Sequence, residues 1–175
     1  MLMLDIEEAL GNGCIWLEYQ PTVRIQDARI ASLEALIRWQ HPDFGTVAPD
    51  RWIPLAEQVG MIHHVTLWVV DRVCEDMSAL KARHGDHIAV AVNISANDLT
   101  HPDFVEKVKA IVQHHGAQPS DLILEITETA MMADTALTKV VIRTLSQSGF
   151  RIAVDDFGTG HSSLGTLATF ELDEL

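Results

Sequence analysis

Residues 87–95 read HIAVAVNIS, and between the flanking His87 and Ser95 the only polar residue is Asn93. A strand with one wetted face alternates apolar and polar residues, because successive side chains point to opposite sides. An apolar run of this length, rich in β-branched valine and isoleucine, is the pattern of a strand buried on both faces. Such strands belong to parallel sheets whose two faces are covered, so the surrounding segments should supply helices.

They do so on both sides. Upstream, MIHHVTLWVVDRVCEDMSALKARHG (61–85) places Ile62, Val65, Val69, Val73, Met77 and Leu80 at helical spacing, with Gly85 as its stop. DRWIPLAEQVG (50–60) predicts a shorter helix closed by Gly60. Downstream, NDLTHPDFVEKVKAIVQHHG (97–116) predicts one helix, DLILEITE (121–128) a strand, DTALTKVVIRTLSQSG (134–149) a helix and FRIAVDDFG (150–158) a strand. Toward the N-terminus, CIWLEYQPTV (14–23) and ASLEALIRW (31–39) read as strands, and HPDFGTVAP (41–49) as a loop. The alternation of strand and helix predicts an α/β fold with a parallel sheet and helices outside it.

Composition bounds what the fold can do. At 175 residues, 47% of them hydrophobic, the chain suffices for one domain with a substantial core. A net charge of −13 argues against binding a nucleic acid polymer, which requires basic surface. Cys14 and Cys74 are far apart and match no metal or redox spacing, as expected of reduced thiols in a cytoplasmic protein. No basic leader precedes an apolar run, and no apolar run approaches the ~20 residues needed to cross a bilayer, so no membrane contact is expected from this segment. A membrane-anchored parent protein is compatible with that reading.

Polar residues stand where the apolar strands end or are interrupted: Glu34 in SLEAL, Asn93 in AVNIS, Glu125 in LILEITE, and Asp155 with Asp156 in IAVDDFG. Any one of them has an ordinary explanation as a helix cap or half of an ion pair. Together they suggest a site, since the C-terminal ends of parallel strands converge on one face. Carboxylates gathered there repel one another unless a cation neutralises them. An all-oxygen donor set suits a hard ion such as Mg²⁺ or Mn²⁺ better than zinc. Two such ions a few Å apart would serve in-line displacement at phosphorus.

The segments EALIRW (34–39), LAEQVGMI (55–62), VNISANDL (92–99), LEITET (124–129) and DDFGTGHSSL (155–164) resemble, in order and spacing, the EAL domain. That bacterial phosphodiesterase family hydrolyses cyclic di-GMP to linear pGpG. The resemblance implies a TIM-type (β/α) barrel with one antiparallel strand, here incomplete, and a site using Mg²⁺ or Mn²⁺. It implies that Glu34, Asn93, Glu125 and Asp155 hold a first metal ion, with Asp155 bridging to a second that Asp156 also binds. Arg38 matches a phosphate-contacting arginine, Leu36 and Gln20 match substrate-contacting positions, and Glu128 matches a glutamate that supports the metal-site loop. Glu34, Asp155, Asp156 and Glu128 are thus the expected catalytic set, and residues 157–164 the expected route to a homodimer.

Two departures are mild: His161 stands where tyrosine is common, and Trp52 where phenylalanine is. A larger one follows FELDEL (170–175). The family continues there with a strand beginning KID, whose lysine positions the attacking water, and later with a further metal-binding glutamate and a substrate-contacting glutamine. Residues 1–175 are accordingly expected to form the N-terminal two thirds of the domain, lacking its last strands and helices. The expected function is metal-dependent hydrolysis of cyclic di-GMP. The alternative is a non-catalytic module that binds cyclic di-GMP or a protein partner. The remaining histidines, including the pairs at 63–64 and 114–115, are expected at the surface or rim. The four tryptophans are expected in packing, with Trp39 open to a stacking role because it follows Arg38.

Overall fold

The computed structural model describes residues 2–132 and 136–155. Helix α1 (Leu2–Asn12) precedes a hairpin of β1 (Ile15–Val23) and β2 (Ile30–His41), then a three-residue strand, β3 (Gly45–Val47). Helices α2 (Pro49–Gln58) and α3 (Ile62–His84) follow, then β4 (Val90–Ile94), α4 (Ala96–Leu99) and α5 (Phe104–His114). The described chain closes with β5 (Leu122–Thr127), α6 (Glu128–Met132), α7 (Ala136–Gln147) and β6 (Arg151–Asp155). These strands form one open sheet in the order β1-β2-β4-β5-β6, with β3 also pairing to β2. The β2–β4, β4–β5 and β5–β6 pairings are parallel, while β1 and β3 run antiparallel to β2.

The double burial expected of residues 87–95 is present, and its two faces are unlike. Val90, Val92 and Ile94 join Leu122, Leu124, Ile126, Ile152 and Val154 in a large core. Val69, Val70, Val73 and Met77 of α3, Val108 and Val112 of α5, and Ile142 and Leu145 of α7 complete it. Each such side chain stabilises the fold by roughly 1.5–3 kcal/mol when fully buried. The other face carries a small cluster of Ala89, Ala91, Ile123 and Ala153. Small residues there leave room for whatever stands above them.

Two local expectations are corrected and one element is added. The segment 41–49 is not simply a loop: Gly45–Val47 pairs with Trp39–His41, and His41 Nδ1 accepts the backbone N–H groups of Asp43 and Phe44 to close the turn. The single helix over 97–116 is two, because Pro102 has no N–H to continue the ladder and the Thr100 hydroxyl donates to the Asn97 carbonyl. The N-terminal residues form α1, whose Ile6 and Ala9 pack with Trp39 and Trp52 in a second core. Trp39 and Trp52 meet edge to face at 5.3 Å and are fully buried, so Trp39 is not exposed for stacking. Among the described residues, no helix is long and apolar enough to cross a membrane.

Candidate functional site

Strand alternation, carried across the sheet by the pairing register, sorts the polar residues. Gln20 lies opposite Glu34, and Glu34 opposite Ala91. Asn93 is paired with Glu125, Glu125 with Ala153, and Thr127 with Asp155. Paired residues share a face, and so do residues two apart along a strand. Gln20, Glu34, Leu36, Arg38, Asn93, Glu125 and Asp155 therefore all lie on the alanine-lined face, opposite the helices. Asn93 and Asp155 are exposed, whereas Glu34 and Glu125 are half-buried.

Their heights are staggered. Asn93 stands two residues beyond Ala91, the partner of Glu34; Glu125 is level with Asn93; Asp155 stands two residues beyond Ala153, the partner of Glu125. A tilted TIM-type barrel shifts its register by about one residue per strand, so a diagonal across the sheet becomes a level ring around the axis. Glu34 is mid-strand rather than at a strand end, because β2 runs on to pair with β3. A direct contact joins two of the set: Asn93 Nδ2 donates to Glu34 Oε1 at 3.1 Å. That bond uses the amide N–H and leaves the amide oxygen of Asn93 for another partner.

Among the described residues, no group of three or more His, Cys, Asp and Glu side chains could hold a metal ion. By donor type the set nevertheless suits a hard cation: carboxylate oxygens from Glu34, Glu125 and Asp155 and the amide oxygen of Asn93. Asp156 and the loop 157–164 lie outside the described residues, as does His161. Glu128 opens α6 directly after β5 and is 3% exposed. Thr127 accepts the backbone N–H of Ala130, which caps this helix and fixes its departure from the strand.

Arg38 is held from two sides. Its Nε donates to Glu18 Oε2 at 2.8 Å, and its Nη1 to the Ile37 carbonyl at 3.0 Å. Among the described residues the remaining guanidinium N–H groups have no further partner. Beside Arg38, Leu36 and Asn93 opens a cavity of about 560 Å³, mostly apolar, lined also by Ile53, Pro54, Val65 and Glu57.

The sequence reading missed a buried polar cluster behind Asn93. Asp98 is completely buried; its Oδ2 accepts the Thr66 hydroxyl at 2.8 Å and the Ser95 N–H at 3.1 Å, and its Oδ1 faces His63 Nδ1 at 3.3 Å. Burial pushes the Asp98 carboxyl up to about 6 and the His63 imidazole down to about 4. His63 is thus a core residue stacked on His101, contrary to the expected surface position. The capping pattern S-x-x-D at Ser95–Asp98 was the signal that could have found Asp98.

The EAL domain family model matches residues 3–175. The chain is 39% identical over 175 residues to the bifunctional diguanylate cyclase/cyclic di-GMP phosphodiesterase MucR of Pseudomonas aeruginosa, covering 99% of this chain and 25% of that protein. It is 37% identical over 171 residues to the cyclic di-GMP phosphodiesterase NbdA of the same organism, covering 98% of this chain and 22% of that protein. The chain thus spans about a quarter of the length of these curated relatives. The solved MucR phosphodiesterase in complex with c-di-GMP superposes with a TM-score of 0.91 at 37% identity, over 98% of this chain and 69% of that one. A FimX EAL domain from Xanthomonas citri, in complex with c-diGMP, shares the fold with a TM-score of 0.82 at 20% identity, over 98% of this chain and 66% of that one.

Proposed function

This chain belongs to the EAL domain family, and we propose that its inner sheet face is the first half of a site that hydrolyses cyclic di-GMP to linear pGpG. The observation that carries the reading is the shared face of Gln20, Glu34, Leu36, Arg38, Asn93, Glu125 and Asp155, with Asn93 bonded to Glu34. Seven polar or substrate-facing positions on one side of a sheet, over a floor of alanines, is an arrangement for holding a ligand rather than for packing.

In this reading Glu34, Asn93, Glu125 and Asp155 hold a divalent cation, Mg²⁺ or Mn²⁺, and Asp155 with Asp156 a second. Bound there, the ions would lower the pKa of water and offset charge at phosphorus. The chain's own residues then do the rest. The Arg38 guanidinium, oriented by Glu18, presents its free N–H groups to a phosphate oxygen. Leu36 and Gln20 contact the nucleotide on the same face, while Glu128 holds the turn between β5 and α6. Dimerisation through residues 157–164 and residence in the cytoplasm belong to the same proposal.

Incubating the purified protein with cyclic di-GMP and Mn²⁺ tests it. The expected product is pGpG, and Glu34→Ala should lower its rate by ~100-fold or more, since a direct ligand is removed. Nucleotide binding without pGpG would replace this reading with that of a binding module. Neither binding nor turnover would overturn both.

A further inference from the structure

Asn93 occupies an exposed place near the end of β4, and its support is one-sided. The ladder between β2 and β4 consists of Leu33↔Val90 and Glu34↔Ala91 and goes no higher, whereas β4 pairs with β5 through Ile94. Beyond Ala91 the side toward β2 is the cavity, lined there by Asn93, Ser95, Glu57 and Thr66. A strand end without a ladder on one side needs another means of fixing its height and angle.

The β4–α4 turn is tied from that same side. The Ser95 hydroxyl donates to Glu57 Oε1 of α2 at 2.6 Å, and Asn97 Nδ2 donates to the Glu57 carbonyl at 3.2 Å. Asp98 accepts the Ser95 N–H and the Thr66 hydroxyl, linking the turn to α3. Helix α4 spans only Ala96–Leu99 and is too short to persist through its own hydrogen bonds. A wholly buried carboxylate carries a desolvation cost, and leucine would fill the space without it. Its burial raises its pKa to about 6, so the site bears a standing electrostatic cost. What an aspartate supplies that leucine cannot is an acceptor oxygen, Oδ2, that ties the turn two residues past Asn93 to Thr66 of α3.

We propose that Asp98, acting through Ser95 and braced by Thr66, is a positioning residue that holds Asn93 in its hydrogen bond to Glu34 and so sets the affinity of the oxygen site for a divalent cation. The proposal rests on the metal reading above. An aspartate at this place acts on ligand geometry, and outer partners of that kind typically change metal affinity by about 10–100-fold.

Mn²⁺ titration followed by electron paramagnetic resonance, with thermal unfolding of each variant, tests it. Asp98→Ala should weaken Mn²⁺ binding about tenfold or more. Asp98→Asn should stay within a few-fold of wild type, because one amide oxygen can take the place of Oδ2 and His63 can change tautomer to accept from the new N–H₂. Val112→Ala, a cavity in α5 away from the site, should lower stability and leave Mn²⁺ affinity unchanged. Equal weakening in Val112→Ala, or none in a folded Asp98→Ala, overturns the proposal. If Asp98→Ala does not fold, Thr66→Val decides: it keeps the shape, and unaltered Mn²⁺ affinity would overturn the idea. A wild type that binds no Mn²⁺ defeats the metal reading. The positioning then stands or falls on the Asn93 side-chain amide resonance, which must shift in Thr66→Val.

Discussion

His63 lies between His101, stacked on it at 3.7 Å between ring centroids, and the carboxylate of Asp98. Burial, reinforced by His101, Lys107 and His64, lowers its pKa from 6.5 to about 4, so the folded protein holds it neutral. The unfolded chain binds the extra proton between those values. Stability contributed by neutral His63 is therefore complete above pH 6.5 and lost as pH falls toward 4. Asp98, raised from 3.8 to about 6, acts with the opposite sign and gains stability as pH falls through that interval. His63→Gln removes the first effect and leaves the second. Its urea midpoint should fall less between pH 7 and 5 than that of wild type, and an equally steep fall would contradict the assignment. At this scale the sequence was a poor guide: an HH pair at a helix start looks exposed, and only packing against His101 and Phe104 turns one ring inward.

The elements themselves were largely readable, for reasons that differ between them. β4, β5 and β6 are apolar on both faces because helices cover one side and barrel interior lies on the other, and few other structures produce such runs. Helix α3 was legible through its period and its stop at Gly85, whose N–H makes the last bond back to the Lys81 carbonyl and whose φ of +102° then turns the chain out of the helix. A Cβ at Gly85 would lie 2.9 Å from His87 Nδ1, in backbone that side chains rarely adopt. Gly85→Ala should destabilise the protein by roughly 1–2 kcal/mol, read as a lowered Tm. Because the turn lies before the N-terminal end of β4, KM in the proposed hydrolysis of cyclic di-GMP should not change; a large rise in KM would mean that the two ends of the strand are coupled. β3 was hidden because three residues carry no period, whereas the break at Thr100–Asp103 does carry a local signal in Pro102.

At the scale of the molecule, the alanine floor separates the sheet's outward packing from the ligand holding proposed for its inner face. Ala91 is 3% exposed and level with Glu34, directly beneath Asn93 on the same strand. Ala91→Leu would push a branched side chain into that interior, costing typically ~1–3 kcal/mol through overpacking. It should also weaken Mn²⁺ binding, as measured by titration, because Glu34 and Asn93 could no longer meet. An unchanged affinity would place the ligands higher above the floor than the register indicates.

From the sequence alone followed the α/β class, the two-sided burial of the central strands and the spacing of the oxygen-bearing residues along them, because period two and apolar runs are local properties of a chain. Which residues meet was decided only by tertiary structure. Asn93 and Glu34 are 59 residues apart in sequence and become hydrogen-bonded partners only through the offset between β2 and β4. The burial of Asp98 and His63 likewise depends on where α3 and α4 are pressed together. Register and helix docking are set by long-range packing energies, and no short stretch of residues contains them.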